Sequence, residues 1–203
     1  MKKPTRRIEN ELFRTGCRYV AGVDEAGRGA WAGPIVAAAV ILPKRCDIRG
    51  INDSKKLSPL QRSVLYEQII DRAVAYETRI VSQRMIDAHG IQAANVIALK
   101  QSVLKLQTRP NYVLVDSFKV SWRDLPSRSI VRGDATVTAI AAASIVAKVF
   151  RDQLMVRYAV RYPYYSFQRN KGYGTAVHHR SIAAHGLCEQ HRLSFEPMKT
   201  LAA

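Results

Sequence analysis

Two apolar runs, Tyr19-Val-Ala-Gly-Val-Asp24 and Gly33-Pro-Ile-Val-Ala-Ala-Ala-Val-Ile-Leu42, flank a turn that carries Gly27-Arg28-Gly29. Runs of this length bounded by glycine predict strands, here over about 19–24 and 33–42, and most simply an antiparallel pair. Ahead of them, Ile8 to Arg14 predicts a short helix stopped by Gly16, and residues 1–7 read as a frayed basic arm. Pro43 to Ser58 is a polar loop. Ser58-Pro59 then has the order of an N-cap and first helical residue, so a helix follows over about 59–72. Val74 to Ser82 alternates with period two and predicts a third strand. Ile91 to Leu106 places Ile91, Val96, Ile97, Leu99, Val103, Leu104 and Leu106 on one broad stripe, a helix that starts after Gly90.

Two short strands come next, Tyr112 to Asp116 and Arg128 to Asp134, each ending in an acid. The alanine-rich stretch from Thr136 to about Tyr158 is the strongest helix signal in the chain. Pro163 to Thr175 is an aromatic and basic loop, and a last helix over about 176–186 is stopped by Gly186. Strands interleaved with helices predict one α/β domain over residues 1–203, with a mixed sheet flanked by helices. Its part from about residue 160 is expected to be a helical extension of the same domain.

Charge changes the picture. Lys plus Arg number 32 against 16 for Asp plus Glu, a net +16. Such an excess points to a polyanion, nucleic acid before an acidic membrane surface. No apolar run reaches the roughly 20 residues of a membrane span, because Arg28 interrupts the longest candidate, so no membrane partner is expected. Cys17, Cys46 and Cys188 are odd in number and far apart, and Met1-Lys-Lys-Pro-Thr-Arg-Arg lacks a secretory apolar segment. A reducing, cytoplasmic setting is the expectation.

The acids carry the candidate chemistry. Asp24 and Glu25 are adjacent, and a regular strand would send them to opposite faces unless Gly27 and Gly29 let the chain break that rule. Three predicted strands end in acids: Asp24-Glu25, Asp116 and Asp134. With their ends aligned in one sheet, four carboxylates would converge, an arrangement that repels itself unless divalent metal lies among the groups. Hard cations such as Mg²⁺ or Mn²⁺ suit such oxygen ligands and support phosphodiester cleavage by activated water. Taken singly, Asp134 could simply cap the following helix, and Asp116 could end its strand in an ordinary turn. Asp152, four residues after Lys148, reads as a helix salt bridge.

Five motifs together resemble the bacterial type 2 ribonucleases H, the ribonuclease HII family, over nearly the whole chain. They are Gly22-Val-Asp-Glu-Ala-Gly-Arg-Gly29 with Ala32-Gly-Pro34, Asn52-Asp-Ser-Lys-Lys-Leu-Ser58, Val115-Asp116, Gly133-Asp-Ala135 with Ala141-Ala-Ala-Ser-Ile-Val-Ala-Lys148, and Lys171-Gly-Tyr-Gly-Thr175. The resemblance implies a ribonuclease H-like fold and a Mn²⁺- or Mg²⁺-dependent endonuclease. Its substrate would be the RNA strand of RNA–DNA hybrids, including single ribonucleotides in duplex DNA, cut to 5′-phosphate and 3′-hydroxyl ends by an enzyme expected to act as a monomer. Asp24, Glu25, Asp116 and Asp134 match the family's metal-binding acids. Gly27, Arg28 and Gly29 match the loop at the ribose 2′-hydroxyl, Tyr173 the tyrosine that stacks on the sugar, and Lys55 and Lys56 the basic loop near the phosphates. Ala30-Trp31 replaces the common Pro-Leu, and Ser117-Phe118 stands where Gly-Asn is frequent.

Elementary chemistry agrees with these roles. The 2′-hydroxyl is the group that separates RNA from DNA sugars, so a discriminating site must touch it. Glycines allow main-chain groups to approach a sugar, and a tyrosine between Gly172 and Gly174 suits an aromatic platform. Other readings are a DNA-only nuclease of the same fold, which would not need Gly27-Arg28-Gly29 or Tyr173, and a non-catalytic RNA-binding protein. The last leaves four acids unexplained on a surface meant for phosphates. His185-x-x-Cys188-x-x-His191 has too few thiolates for structural zinc and reads as surface or packing. One of His178 or His179 could lie near substrate phosphate, and Arg192 to Lys199 reads as a solvated tail.

Overall fold

The computed structural model describes residues 3–201; Met1 and Lys2 of the expected basic arm lie outside the described residues. The rest of that arm is pinned rather than frayed. The Thr5 amide donates to the Thr136 carbonyl at 3.0 Å, the Thr5 carbonyl accepts from Thr138 at 3.2 Å, and the Arg6 guanidinium donates to the Pro43 carbonyl at 2.8 Å.

Helix α1 (Arg7–Arg14) precedes β1 (Val20–Ala26) and β2 (Ile35–Ile41), which pair antiparallel. β3 (Ala75–Val81) pairs antiparallel with β2. β4 (Tyr112–Asp116) runs parallel to β1, and β5 (Ser127–Ile130) parallel to β4. The sheet order β3-β2-β1-β4-β5 puts β1 in the middle. Every residue of β2 is buried, so this strand reads as a continuous apolar run without alternation, as a strand covered on both faces should. Ile35 and Ile41 are 0% exposed, each contributing about 1.5–3 kcal/mol by burial.

Helices cover the two faces. α3 (Gln83–Leu104) packs on the side of Ala21 and Val23, and α5 (Thr138–Arg161), backed by α2 (Pro59–Arg72), packs on the side of Val20, Gly22 and Ala26. Gly22 permits the closest approach: a Cβ there would lie 2.1 Å from the Ala139 carbonyl carbon. α2 begins as the sequence predicts. The Ser58 hydroxyl accepts from the Gln61 amide at 3.2 Å and the Gln61 side chain accepts from the Ser58 amide at 2.8 Å, a reciprocal cap of about 1 kcal/mol.

The structure corrects several boundaries. β1 runs on to Ala26, so Asp24 and Glu25 lie inside the strand. α3 begins at Gln83, capped by the Ser82 hydroxyl, which accepts from the Met85 amide at 3.3 Å. Gly90 (φ 79°) is non-helical, so the predicted helix does start after it, and the added feature is a further helical stretch that precedes it from Gln83. β5 ends at Ile130, and Arg132 takes a left-handed φ of 54°. The chain then turns into a short helix, α4 (Gly133–Thr136), so Asp134 stands in a helical turn instead of at a strand end. The loop after α5 holds the short helix α6 (Phe167–Asn170) before α7 (Ala176–His185). Last, the segment leading to α8 (Met198–Leu201) is no solvated tail, because His191, Arg192 and Met198 are buried. The Ser82 cap is a local signal, whereas the burial of the last segment depends on what distant parts of the chain offer the backbone. The start of α5 shows this well. No side chain next to it caps it, and Glu9 of α1 accepts from the Ala139 amide at 2.9 Å instead.

Candidate active site

β1 and β4 are parallel, with Val23 beside Val115, so the next residues in each, Asp24 and Asp116, end up side by side at one end of the sheet. β1 keeps its alternation through that point. Asp24 therefore turns toward Ser144 on α5 and Glu25 toward Asn95 on α3. Both still line the same cleft, about 570 Å³, because it opens across the strand ends. Asp134 arrives from α4. The Gly133 amide donates to Asp116 Oδ1 at 2.6 Å, and that bond ties α4 to the end of β4. One oxygen from each of Asp24, Asp116 and Asp134 lies within 4.8 Å of the others. Glu25 stands beside this triad rather than within it.

The electrostatics are those of a site short of positive charge. Burial first, then the charges of Glu25 and Asp116, push the Asp24 carboxyl well above its ordinary range. Burial followed by Asp116 raises Glu25 to about 7, and burial followed by Asp134 raises Asp116. Lys55 supplies partial compensation, its Nζ lying 3.3 Å from Asp134 Oδ2. Burial alone would lower the Lys55 ammonium, but Asp134, Asp53 and Asp24 outweigh it and hold the group above its usual range. An all-carboxylate donor set, buried and self-repelling, with an ammonium already drawn onto one member, fits a hard divalent cation.

The remaining predicted residues divide. Gly27, Arg28, Gly29, Lys55 and Tyr173 all line the cleft; Lys56 does not, and its Nζ lies 3.9 Å from Asp53 Oδ2. Gly27 has φ +92°. Gly29 is different, for a Cβ there would meet nothing within 4 Å. Both departures from the family pattern have a local reason. Phe118 lies under the Arg28 guanidinium at 4.6 Å from the ring centroid. Trp31 packs so closely on Gly174 that a Cβ there would sit 2.3 Å from the indole.

Sequence reasoning missed Ser144 and Lys148, both on α5 and both lining the cleft. Lys148 forms the expected salt bridge to Asp152 at 2.8 Å, yet its Nζ also lies 5.5 Å from the Tyr173 ring centroid. The four-residue spacing of Ser144 and Lys148 on one helix face was the available signal. The late histidines have a different place. His178 is buried and His179 exposed, while His185 stacks on Tyr164 at 4.4 Å.

The Cys188 amide donates to His191 Nδ1 at 2.8 Å, which leaves the His191 proton on Nε2. That proton goes to His178 Nε2 at 3.1 Å, and His178 Nδ1–H in turn donates to the Tyr173 carbonyl at 3.0 Å. Both rings are thus neutral, and burial followed by the His178 ring holds His191 down at about 4. The pair steadies the Tyr173 loop from behind and does not face the cleft.

Known proteins resemble this chain in sequence and fold. The family model described as Ribonuclease HII matches residues 21–198. A protein named ribonuclease HII from Bacillus mycoides (strain KBAB4) is 45% identical over 195 residues, 96% of this chain and 76% of that one. The crystal structure of ribonuclease H2 from Pyrococcus horikoshii OT3 superposes with a TM-score of 0.77 at 26% identity, covering 90% of this chain and 96% of the other. Bst ribonuclease HIII in complex with Mn²⁺ shares the fold alone, with a TM-score of 0.71 at 17% identity over 91% of this chain and 69% of that one. Sequence and fold agree: the chain belongs to the ribonuclease HII family and is a ribonuclease H endonuclease.

Proposed function

We propose that the chain is a divalent-metal-dependent endonuclease that cuts the RNA strand of RNA–DNA hybrids and single ribonucleotides within duplex DNA, leaving 5′-phosphate and 3′-hydroxyl ends. The observation that carries this reading is the meeting of Asp24, Asp116 and Asp134 at a cleft lined by Asp24 and Asp116 together with Gly27, Arg28, Gly29 and Tyr173. Asp24, Asp116 and Asp134, with Glu25 beside them, would hold Mn²⁺ or Mg²⁺, hard cations that suit an all-carboxylate set. When bound, the ion supplies Lewis acidity at the scissile phosphate.

The chain's own groups do the rest. Arg28, Lys55 and Lys148 face the cleft and neutralise phosphates. The amides of the Gly27–Gly29 loop meet the ribose, and Tyr173 offers its ring to the sugar that follows. Residues 1–203 act in this reading as one catalytic domain, a monomer in the cytoplasm, which suits three free cysteines. No helix among the described residues is long and apolar enough to cross a membrane.

The direct test is a labelled duplex carrying one ribonucleotide, incubated with Mn²⁺ or Mg²⁺ and, in parallel, with chelator. Metal-dependent nicking on the 5′ side of the ribonucleotide is expected; no nicking under any condition would refute the reading.

Two further outcomes follow from the geometry. Gly29→Ala leaves the melting temperature unchanged, since the added methyl meets no protein atom, but lowers ribonucleotide cleavage by crowding the sugar. A fall in melting temperature equal to the loss of activity would show that Gly29 serves only the fold. Metal and pH are linked as well. Glu25 titrates at about 7 in the folded protein against 4.5 unfolded, so its folded pKa is raised. The stability it contributes is complete below the unfolded value and is lost as pH rises through about 7. A bound cation reverses this by favouring the charged carboxylates. Saturating Mn²⁺ therefore raises the melting temperature more at pH 8 than at pH 6. Equal increments at both values would contradict the assignment.

A further inference from the structure

Arg192 and Arg151 are both 0% exposed, and their partners are carbonyls rather than carboxylates. Arg192 donates from Nη2 to the Gly27 carbonyl at 2.7 Å, from Nη1 to the Arg28 carbonyl at 2.9 Å and from Nε to the Gly33 carbonyl at 2.9 Å. Arg151 donates from Nε to Pro34 at 2.9 Å, from Nη2 to Ala32 at 3.1 Å and from Nη1 to Lys171 at 2.8 Å. A buried guanidinium costs several kcal/mol in desolvation, and here no carboxylate pairs with it directly: main-chain carbonyls take its hydrogen bonds, with the Phe195 ring 5.1 Å from Arg192 and the Tyr173 ring 5.4 Å from Arg151. A fold that keeps two such groups next to its cleft has to gain something from their directions.

The direction is readable. In a trans peptide the carbonyl and the following amide point opposite ways. Arg192 lies behind the Gly27–Gly29 loop and draws the Gly27 and Arg28 carbonyls inward, so the Arg28 and Gly29 amides turn outward toward the cleft that these residues line. Neither amide donates to a backbone acceptor among the described residues. The loop therefore presents donors and withholds its first two acceptors. The Ala30 amide also donates to the Gly27 carbonyl at 3.3 Å, so that plane is held by the turn and Arg192 together, while the Arg28 carbonyl is held by the Arg192 guanidinium.

The same group joins two loops. The Arg192 amide donates to the Trp31 carbonyl at 2.8 Å, and the Trp31 and Ala32 amides donate to the Gly172 carbonyl at 2.8 and 3.1 Å. Residues 27–34 and 171–174 thus form one frame around two buried cations. Gly27 is wedged between them, since a Cβ on it would lie 1.9 Å from Arg151 Nε.

We propose that Arg192 is a positioning residue for ribonucleotide recognition: its guanidinium sets the peptide planes of the Gly27–Gly29 loop so that two amide donors face an oxygen acceptor on the ribose or its phosphate. The proposal rests on the function argued above. Lysine cannot replace it, because one ammonium cannot meet three carbonyls held in a fork. The carboxylates come from β1, β4 and α4, none of which Arg192 grips, so metal binding is independent of it.

The test compares wild type with Arg192→Lys and Arg192→Gly on an all-DNA duplex and on the same duplex carrying one ribonucleotide, with Mn²⁺ affinity read by calorimetry. Arg192→Lys is expected to cut at the ribonucleotide about 100-fold more slowly, the scale of a small misplacement in a preorganised site, with Mn²⁺ affinity unchanged. Guanidinium at sub-denaturing concentration is expected to restore cleavage to Arg192→Gly. Wild-type cleavage rates in Arg192→Lys would overturn the proposal, as would loss of cleavage in step with Mn²⁺ affinity. Failure of Arg192→Lys to fold, together with failure of guanidinium to rescue Arg192→Gly, would make Arg192 a stability residue and overturn it too. If wild type itself does not distinguish the two duplexes, the functional reading fails and takes this inference with it.

Discussion

Asp24→Asn slows cleavage at a ribonucleotide by about 1,000-fold, equivalent to roughly 4 kcal/mol of lost transition-state stabilisation, while substrate still binds. Asparagine keeps the size of the side chain and can still accept from the Glu25 amide, as Asp24 Oδ1 does at 2.8 Å. What it removes is one of three converging charges. The same substitution raises the melting temperature of the metal-free protein at pH 8. Asp24 is 5% exposed and its carboxyl is pushed well above the ordinary range by burial, Glu25 and Asp116. A raised folded pKa means the group costs nothing below its unfolded pKa, where it is protonated in both states, and destabilises the fold increasingly as pH rises from there to the folded pKa. The gain therefore shrinks as pH falls. Lost activity paired with gained stability is the signature of a repulsive ligand cluster. A variant that loses both would place Asp24 in the ordinary structural class.

Gly22→Ala produces the second large effect, this time on stability. The new Cβ would lie 2.1 Å from the Ala139 carbonyl carbon, 2.2 Å from its oxygen and 2.5 Å from the Ile140 nitrogen. These are backbone atoms at the start of α5, so no side chain can swing away, and α5 or β1 must shift. A loss of about 3 kcal/mol is expected from overpacking of this kind, a fall of roughly 10 °C in the melting temperature of a chain this long. Because Gly22 and Asp24 share a face of β1, the shift also displaces Asp24 and lowers activity. Scanning calorimetry decides the matter: a midpoint within a degree or two of wild type would mean that the β1–α5 contact is looser than the geometry requires.

Much of the site was legible because its parts announce themselves locally. A carboxylate next to another at the end of an apolar run is costly wherever it folds, so Asp24-Glu25 stood out before any tertiary contact was known. Asp116 stood out as a single acid ending an apolar run, and Lys171-Gly-Tyr-Gly-Thr as an aromatic residue set between glycines. Asp134 was found with the wrong element, since nothing in the run from Arg128 to Val131 signals that Arg132 turns left-handed. Lys148 was hidden by its own good helix pairing with Asp152. Arg192 was misplaced outright, because a lone cation near the end of a chain looks solvated unless one knows which carbonyls surround it.

The sequence, by itself, determined the strands and most helices, the excess of basic charge and the set of acids, because periodicity, charge and capping act over a few neighbours. Only the tertiary structure decided that β1 and β4 run parallel and so bring Asp24 beside Asp116. It alone showed that Glu25 leaves by the opposite face, and that the frame of the Gly27–Gly29 loop is held from residue 192. Those facts depend on contacts across some 90 to 165 positions, where desolvation and main-chain hydrogen bonding are settled by whichever distant segment arrives.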